Sequence, residues 1–86
     1  MTRWKIDRIR RVPPAPGSDC DDAYAVHFDE GSEPQITIEY VRGGGGRYAS
    51  ARHARKSVEP YLDTETPPRR LTVGRDGAVR VRDDEG

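Results

Sequence analysis

The hydrophobic pattern of this chain changes its period at a run of four glycines, residues 43–46, and no other feature constrains the fold as strongly. Before the run, apolar and polar residues alternate, which is typical of strands with one buried face. The alternating apolar residues are Tyr24, Val26, Phe28, Ile36, Ile38 and Tyr40. After the run, apolar residues recur every three to four positions, as on one face of a helix; they are Ala51, Ala54, Val58 and Leu62. The chain therefore predicts a sheet segment followed by a helix.

The sequence predicts five strands, at residues 4–12, 23–28, 35–41, 71–73 and 78–81. In the first strand Ile9 and Val12 break the alternation, so we expect a bulge or a short helical turn there. Residues 13–22 are rich in proline and aspartate and predict a loop. Polar turns at residues 29–34 and 74–77 indicate two hairpins.

The predicted helix has a start signal and a stop signal. Ser50 is the predicted N-cap, because its hydroxyl can accept a hydrogen bond from a free amide of the first turn. Pro60 lacks an amide hydrogen and clashes with the preceding turn, so we expect a kink or an end near Val58.

These elements predict an α+β fold with the order β-β-β-α-β-β, in which one helix packs on one face of an antiparallel sheet. We expect residues 1–82 to form a single domain and the acidic C-terminal tail, residues 83–86, to be frayed. The predicted core consists of the apolar stripes of sheet and helix, namely Tyr24, Val26, Phe28, Ile36, Ile38, Ala51, Ala54, Val58 and Leu62.

Composition limits the class of protein. With 86 residues, of which 33% are hydrophobic, the chain can bury only a small core, and we expect self-association to add to the burial. Cys20 is the sole cysteine, which excludes an internal disulfide. No apolar stretch resembles a signal peptide or approaches the roughly 20 residues of a membrane span, so we expect a cytoplasmic protein that does not enter membranes.

The net charge of zero hides a segregated distribution. From residue 12 to residue 41 the chain has acidic residues but no lysine or arginine, whereas residues 42–58 have five basic residues and no acidic one. A glycine turn before a helix can bind an anion through free amides and the helix dipole, and guanidinium groups add charge of the same sign. The candidate anion-binding or partner-binding residues are therefore Gly44, Gly45, Arg47, Arg52, Arg55 and Lys56.

Simpler interpretations of this segment stand beside the functional one. The glycine run lacks the lysine of a nucleotide-binding loop and the spaced third glycine of a dinucleotide fingerprint, so it also fits a flexible surface loop. The basic helix face also fits a solvated surface. Glu39 on the polar face of the sheet would repel phosphate, and the sequence leaves open on which side of the sheet Arg80 and Arg82 lie.

No other pattern predicts chemistry. The acidic cluster of Asp19, Asp21 and Asp22 lacks the glycine and distal glutamate of a calcium loop, and neighbouring carboxylates should raise the pKa of the Cys20 thiol. His27 and His53 share no motif. We therefore expect a non-catalytic interaction or accessory module without metal or cofactor, whose partner is another protein or a second copy. The alternative is a nucleic-acid-binding module that uses residues 42–56.

Overall fold

A computed structural model describes residues 4–28, 36–43 and 45–82. These residues form one α-helix, two short 3₁₀ helices and a five-stranded sheet. The strands are β1 (Ile6–Val12), β2 (Cys20–Phe28), β3 (Ile36–Val41), β4 (Arg70–Val73) and β5 (Val79–Val81), and the helix is α1 (Ala51–Val58). The 3₁₀ helices, Gly45–Tyr48 and Glu59–Tyr61, flank α1 and were not part of the predicted order.

The sheet is mixed, so the prediction of an antiparallel sheet throughout is wrong. Its strands lie in chain order, and β1–β2, β2–β3 and β4–β5 pair antiparallel, but β3 and β4 pair parallel with Ile38 opposite Leu71. The segment between β3 and β4 crosses the face of the sheet through α1. Such a crossover returns the chain to the end of the sheet at which β3 began, so the next strand runs in the same direction.

Local signals explain where α1 begins and ends. The Ser50 hydroxyl accepts a hydrogen bond from the His53 amide at 3.0 Å, which confirms the predicted N-cap. The α-helix ends at Val58, and Pro60 lies inside the following 3₁₀ helix, as its missing amide hydrogen requires.

One core lies between α1 and the sheet. It contains most of the predicted stripe together with three residues outside that prediction, Tyr40, Leu71 and Val73. Tyr24 is only partly buried at its border, and Ala51 is exposed, so the prediction of Ala51 as a core residue is wrong. Tyr48 and Ala49, which precede the helix, pack against this part of the core instead.

The structure tests two further predictions, the irregularity in the first strand and the bounds of the loop that follows it. The register between β1 and β2 shifts between Ile6 and Arg8, which confirms the expected irregularity in the first strand. β2 begins at Cys20 rather than Ala23, so the end of the predicted loop 13–22 belongs to the sheet, with a second register shift between Cys20 and Asp22. The predicted turn 29–34, Gly44 and the predicted frayed tail 83–86 lie outside the described residues.

Candidate functional site

The sheet face that points away from α1 is rich in arginine. In each strand, the residues that alternate with the core residues point to this face. Partners on neighbouring strands point the same way, so Arg8 shares the face with His27, and Arg80 shares it with Thr72. We call the arginines on these register positions the arginine face; they are Arg8 and Arg10 on β1, Arg70 on β4, Arg80 on β5, and Arg82 directly after β5. All except the partly buried Arg70 are exposed. Positive charge therefore lies at both edges of the sheet.

The glutamate of this face does not reach solvent. Glu39 is only 2% exposed because the loop between β1 and β2 folds over it. Its Oε2 accepts a hydrogen bond from the Ala15 amide at 3.2 Å. The loop is held by a turn in which the Ser18 amide donates to the Ala15 carbonyl at 3.1 Å, and Gly17 supplies the positive φ of 80° that a Pro-Gly turn needs. The loop therefore keeps a ligand on this face from touching the Glu39 carboxylate directly.

The field at the β1 edge is positive. Burial, followed by the charges of Arg10 and Arg8, lowers the pKa of His27, while Asp7 at the bulge acts in the opposite direction. The Arg10 Nε also donates to His27 Nε2 at 3.2 Å, which requires a neutral imidazole. His27 therefore takes part in this surface as an uncharged hydrogen-bonding group rather than as a cation.

Cys20 lies at the start of β2 under the same loop. Burial and the Glu39 carboxylate raise the pKa of its thiol, and the opposing influence of Arg82 is smaller. The direction agrees with the sequence prediction. A buried thiol with a raised pKa is a poor nucleophile, because the thiolate is the reactive form.

The three predicted residues that belong to α1 lie on the opposite side of the sheet from the arginine face. Arg52 is exposed on α1, and the exposed Arg55 and Lys56 follow it by three and four positions, so both lie beside it on the outer face. Arg47 is exposed in the preceding 3₁₀ helix, which Gly45 begins, while Gly44 lies outside the described residues. We call Arg52, Arg55 and Lys56 the helix cations.

The glycine run does not lead directly into α1. A separate 3₁₀ helix and residues 49–50 intervene, and the amide of His53 is already bound by the Ser50 hydroxyl. A phosphate cradle of the strand–glycine–helix kind needs glycines that open straight into a helix whose first amides are free. The geometry therefore separates the glycines from the helix dipole that was expected to assist them.

His53 forms a hydrogen-bonded cluster with Tyr40 and Ser57 between α1 and the sheet. The Tyr40 hydroxyl lies 3.0 Å from His53 Nδ1, and the Ser57 hydroxyl donates to the His53 carbonyl at 2.8 Å. Burial and then the charge of Lys56 lower the pKa of His53, so its imidazole is neutral near pH 7 and can accept the Tyr40 proton. The Ser57 hydroxyl also lies 3.4 Å from His53 Nδ1, so the Tyr40 hydroxyl is the nearer of the two to that nitrogen.

Apolar surface is scarce on the described part of the chain. Within it, Val81 at 49% exposure is the only large hydrophobic side chain that is exposed. The described helices include none with the length and apolarity needed to cross a bilayer. Across residues 4–28, 36–43 and 45–82, no three His, Cys, Asp or Glu side chains group as metal ligands.

Sequence reasoning missed the arginine face as a unit. A signal for it exists, since Arg8 and Arg10, and likewise Arg80 and Arg82, are spaced by two and so share one face of their strands. Comparisons with known proteins return no matching family model, no significantly similar curated protein and no significantly similar solved structure. The functional assignment therefore depends on the chemistry of these surfaces.

Proposed function

We propose that this protein is a non-catalytic nucleic-acid-binding module whose arginine face contacts backbone phosphates. The observation that carries the proposal is the set of exposed arginines at both edges of one sheet face, with Glu39 of that face covered by a loop. Guanidinium groups bind phosphate through paired, charge-assisted hydrogen bonds, and phosphate contacts supply much of the affinity for nucleic acid.

The scarcity of exposed apolar residues favours nucleic acid over a protein partner. Stable protein interfaces have a hydrophobic core with aromatic or aliphatic anchors. Within the described residues Val81 is the only large hydrophobic side chain that is exposed, while aromatic side chains such as Trp4 and Tyr61 are half-buried. Interfaces with nucleic acid are more polar and more positively charged, which matches this surface better.

The ring content of the arginine face favours a duplex over a single strand. Proteins that bind single strands stack bases on aromatic side chains. Tyr40 is buried in the core on the helix side, and Trp4 and Tyr24 pack against that core. Among the described strand positions of the arginine face, His27 supplies the only ring. We therefore expect contacts to phosphates with little sequence preference.

Two variants with equal loss of charge test the proposal. One is R8Q/R10Q/R80Q, which removes three exposed cations from the arginine face. The matched control is R52Q/R55Q/K56Q, which removes three from the helix cations. Binding of a short mixed-sequence DNA duplex is measured by fluorescence anisotropy between about 50 mM and about 200 mM salt, the range over which phosphate contacts lose strength steeply.

The arginine-face variant should bind at least about tenfold more weakly, and its salt slope should fall by about one unit for each lost phosphate contact. The control should bind like the parent. The reverse result would move the interface to the helix cations, as the sequence segment 42–56 suggested. If the parent binds no duplex at low salt, the nucleic-acid proposal is rejected.

A second candidate is a module that pairs strand with strand through β5. β5 is an edge strand, and the exposed Val81 lies on it. Self-association stays a prediction, but pairing of two β5 edges would place Arg80 against Arg80 or Arg82 of a second copy, and such like charges repel. Sedimentation at micromolar concentration distinguishes a monomer from a dimer.

A further inference from the structure

The edge of the sheet at β1 is open in the described part of the chain. β1 pairs with β2 on one side, and among the described residues no strand lies on its other side. After the irregularity near Ile6, residues 8–12 pair one to one with β2 and form a regular edge. The backbone amide and carbonyl groups along such an edge can pair with a further strand.

The core is incomplete beside this edge. Ile9 is half-buried, whereas its partner on β2, Val26, is fully buried in the core. The same holds for Ile6 and its buried partner Phe28. A cleft of about 310 Å³ adjoins the start of β1, and it is lined by Trp4, Lys5, Ile6, Arg55, Glu59 and Leu62. An apolar side chain on an added strand would therefore cover apolar surface that the helix leaves accessible.

The opposite side of the same edge is basic. Arg8 and Arg10 alternate with Ile9, so they lie on the arginine face, and both are exposed. Asp7, the acidic residue of β1, precedes the regular stretch. Side chains of opposite charge attract each other across neighbouring strands. A strand that pairs with this edge should therefore carry acidic side chains on the face that it shares with Arg8 and Arg10.

The same arginines disfavour a second copy of the chain as the added strand. In an antiparallel pair of two β1 strands, a register centred on Ile9 places Arg8 opposite Arg10. A register centred on either arginine places that residue opposite itself. Like charges directly opposite each other destabilise a sheet. The charge pattern therefore favours an acidic partner strand and opposes self-pairing through β1.

We propose that β1 accepts an extended segment of another protein as a sixth strand, with apolar side chains on the helix side and acidic side chains next to Arg8 and Arg10. The inference goes beyond the proposed function and involves one edge of the arginine face. Strand addition gains its affinity from main-chain hydrogen bonds, so it does not need the apolar anchors that are scarce on this surface. The acidic strand and a nucleic acid would compete for the two arginines.

The probe is a short synthetic peptide that alternates valine with glutamate, carries fluorescein and is titrated by fluorescence anisotropy. Two N-methylated forms test strand pairing. In an extended chain the amides of alternate residues point to the same edge, so methylation of the valine amides blocks one edge and methylation of the glutamate amides blocks the other. Only one of the two forms should lose binding. A peptide with lysine in place of glutamate should not bind, because it presents like charge to the arginines.

Two protein variants with equal loss of charge locate the site. R8Q/R10Q removes two arginines at the β1 edge and should bind the peptide about threefold to tenfold more weakly. R80Q/R82Q removes two at the β5 end of the sheet and should bind the peptide like the parent. Both variants should bind duplex more weakly if the proposed function holds, so the two proposals are tested separately.

Hydrogen exchange followed by NMR shows where the peptide lies. The peptide should slow the exchange of those amides in residues 8–12 that do not bond to β2. Slow exchange of these amides in the protein alone would show that the edge is already covered and would overturn the inference, and a dependence on protein concentration would assign the cover to a second copy.

The methylated peptides give the other decisive outcomes. Binding that both forms keep, or that both lose, would contradict strand addition. A parent that binds no peptide at low salt would reject the inference, whatever the result with duplex. Peptide binding without duplex binding would reject the proposed function and leave the inference in place.

Discussion

The two faces of the sheet are built from the same strands but carry opposite kinds of side chain. The face under α1 carries Ile36, Ile38 and Leu71, which are fully buried and form one core with the helix. The other face carries exposed arginines at both edges, and its centre is covered only by the loop over Glu39. The alternation of each strand thus separates the core shared with the helix from a face that carries exposed arginines. The following predictions, in order of decreasing size, test that division.

The largest effect should come from a cavity on the helix side. Ile38→Ala removes a side chain with 0% exposure and should lower the free energy of unfolding by about 2–5 kcal/mol. Thr37→Ala changes the adjacent residue on the opposite face and should cost much less, within about 1 kcal/mol. Urea denaturation measures both. Similar losses for the two variants would contradict the division between the faces.

A second effect should come from the buried polar contact of the arginine side. Glu39→Ala leaves the Ala15 amide without its acceptor and should cost about 1–3 kcal/mol. Glu39→Gln keeps an acceptor oxygen and should recover much of this loss. Thermal unfolding compares the two variants with the parent. An unchanged midpoint for E39A would show that the loop over Glu39 adds nothing to stability. The difference in stability between the helix side and the arginine side would then be larger than we expect.

A third effect concerns pH and His53 on the helix side. Because the folded state lowers the pKa of His53 below its ordinary value of 6.5, the unfolded chain takes up the proton first as the pH falls. The folded protein is therefore most stable above about pH 6.5 and loses stability as the pH falls below that value, because the charged imidazole would be buried and close to Lys56. Urea denaturation across this range should show a flatter profile for H53Q.

The pKa of His27 on the arginine side is lowered too, so it contributes in the same direction. H27Q therefore serves as the second arm of the pH experiment, and the two variants apportion the acid sensitivity between the faces. A profile that neither variant flattens would show that the two histidines do not carry the acid sensitivity.

The smallest effect on stability should come from the arginines themselves. The R8Q/R10Q/R80Q variant changes exposed side chains outside the core, so its free energy of unfolding should stay within about 0.5 kcal/mol for each substitution. Its binding of duplex should nevertheless fall most. Circular dichroism and denaturation verify the fold before any binding is compared. A large loss of stability would show that the arginines are part of the structure rather than a recognition surface.

Much of the local structure could be predicted from the sequence because its causes are local. The alternation around Ile36 and Ile38 predicts β3, the Ser50 hydroxyl predicts the start of α1, and Pro60 predicts its end near residue 58. The candidate site could be predicted only in part. The helix cations share a face by their spacing, but the association of Arg8 with Arg80 depends on strands far apart in the chain.

The sequence by itself determined where strands and helix form, that the core is small, and that each strand has one polar face, since periodicity and capping act within a few residues. The tertiary structure decided three further features: the parallel pairing of β3 and β4, the burial of Glu39, and the gathering of arginines from both ends of the chain on one face. The physical reason is that strand pairing and loop packing join residues distant in sequence, and no local pattern specifies that register.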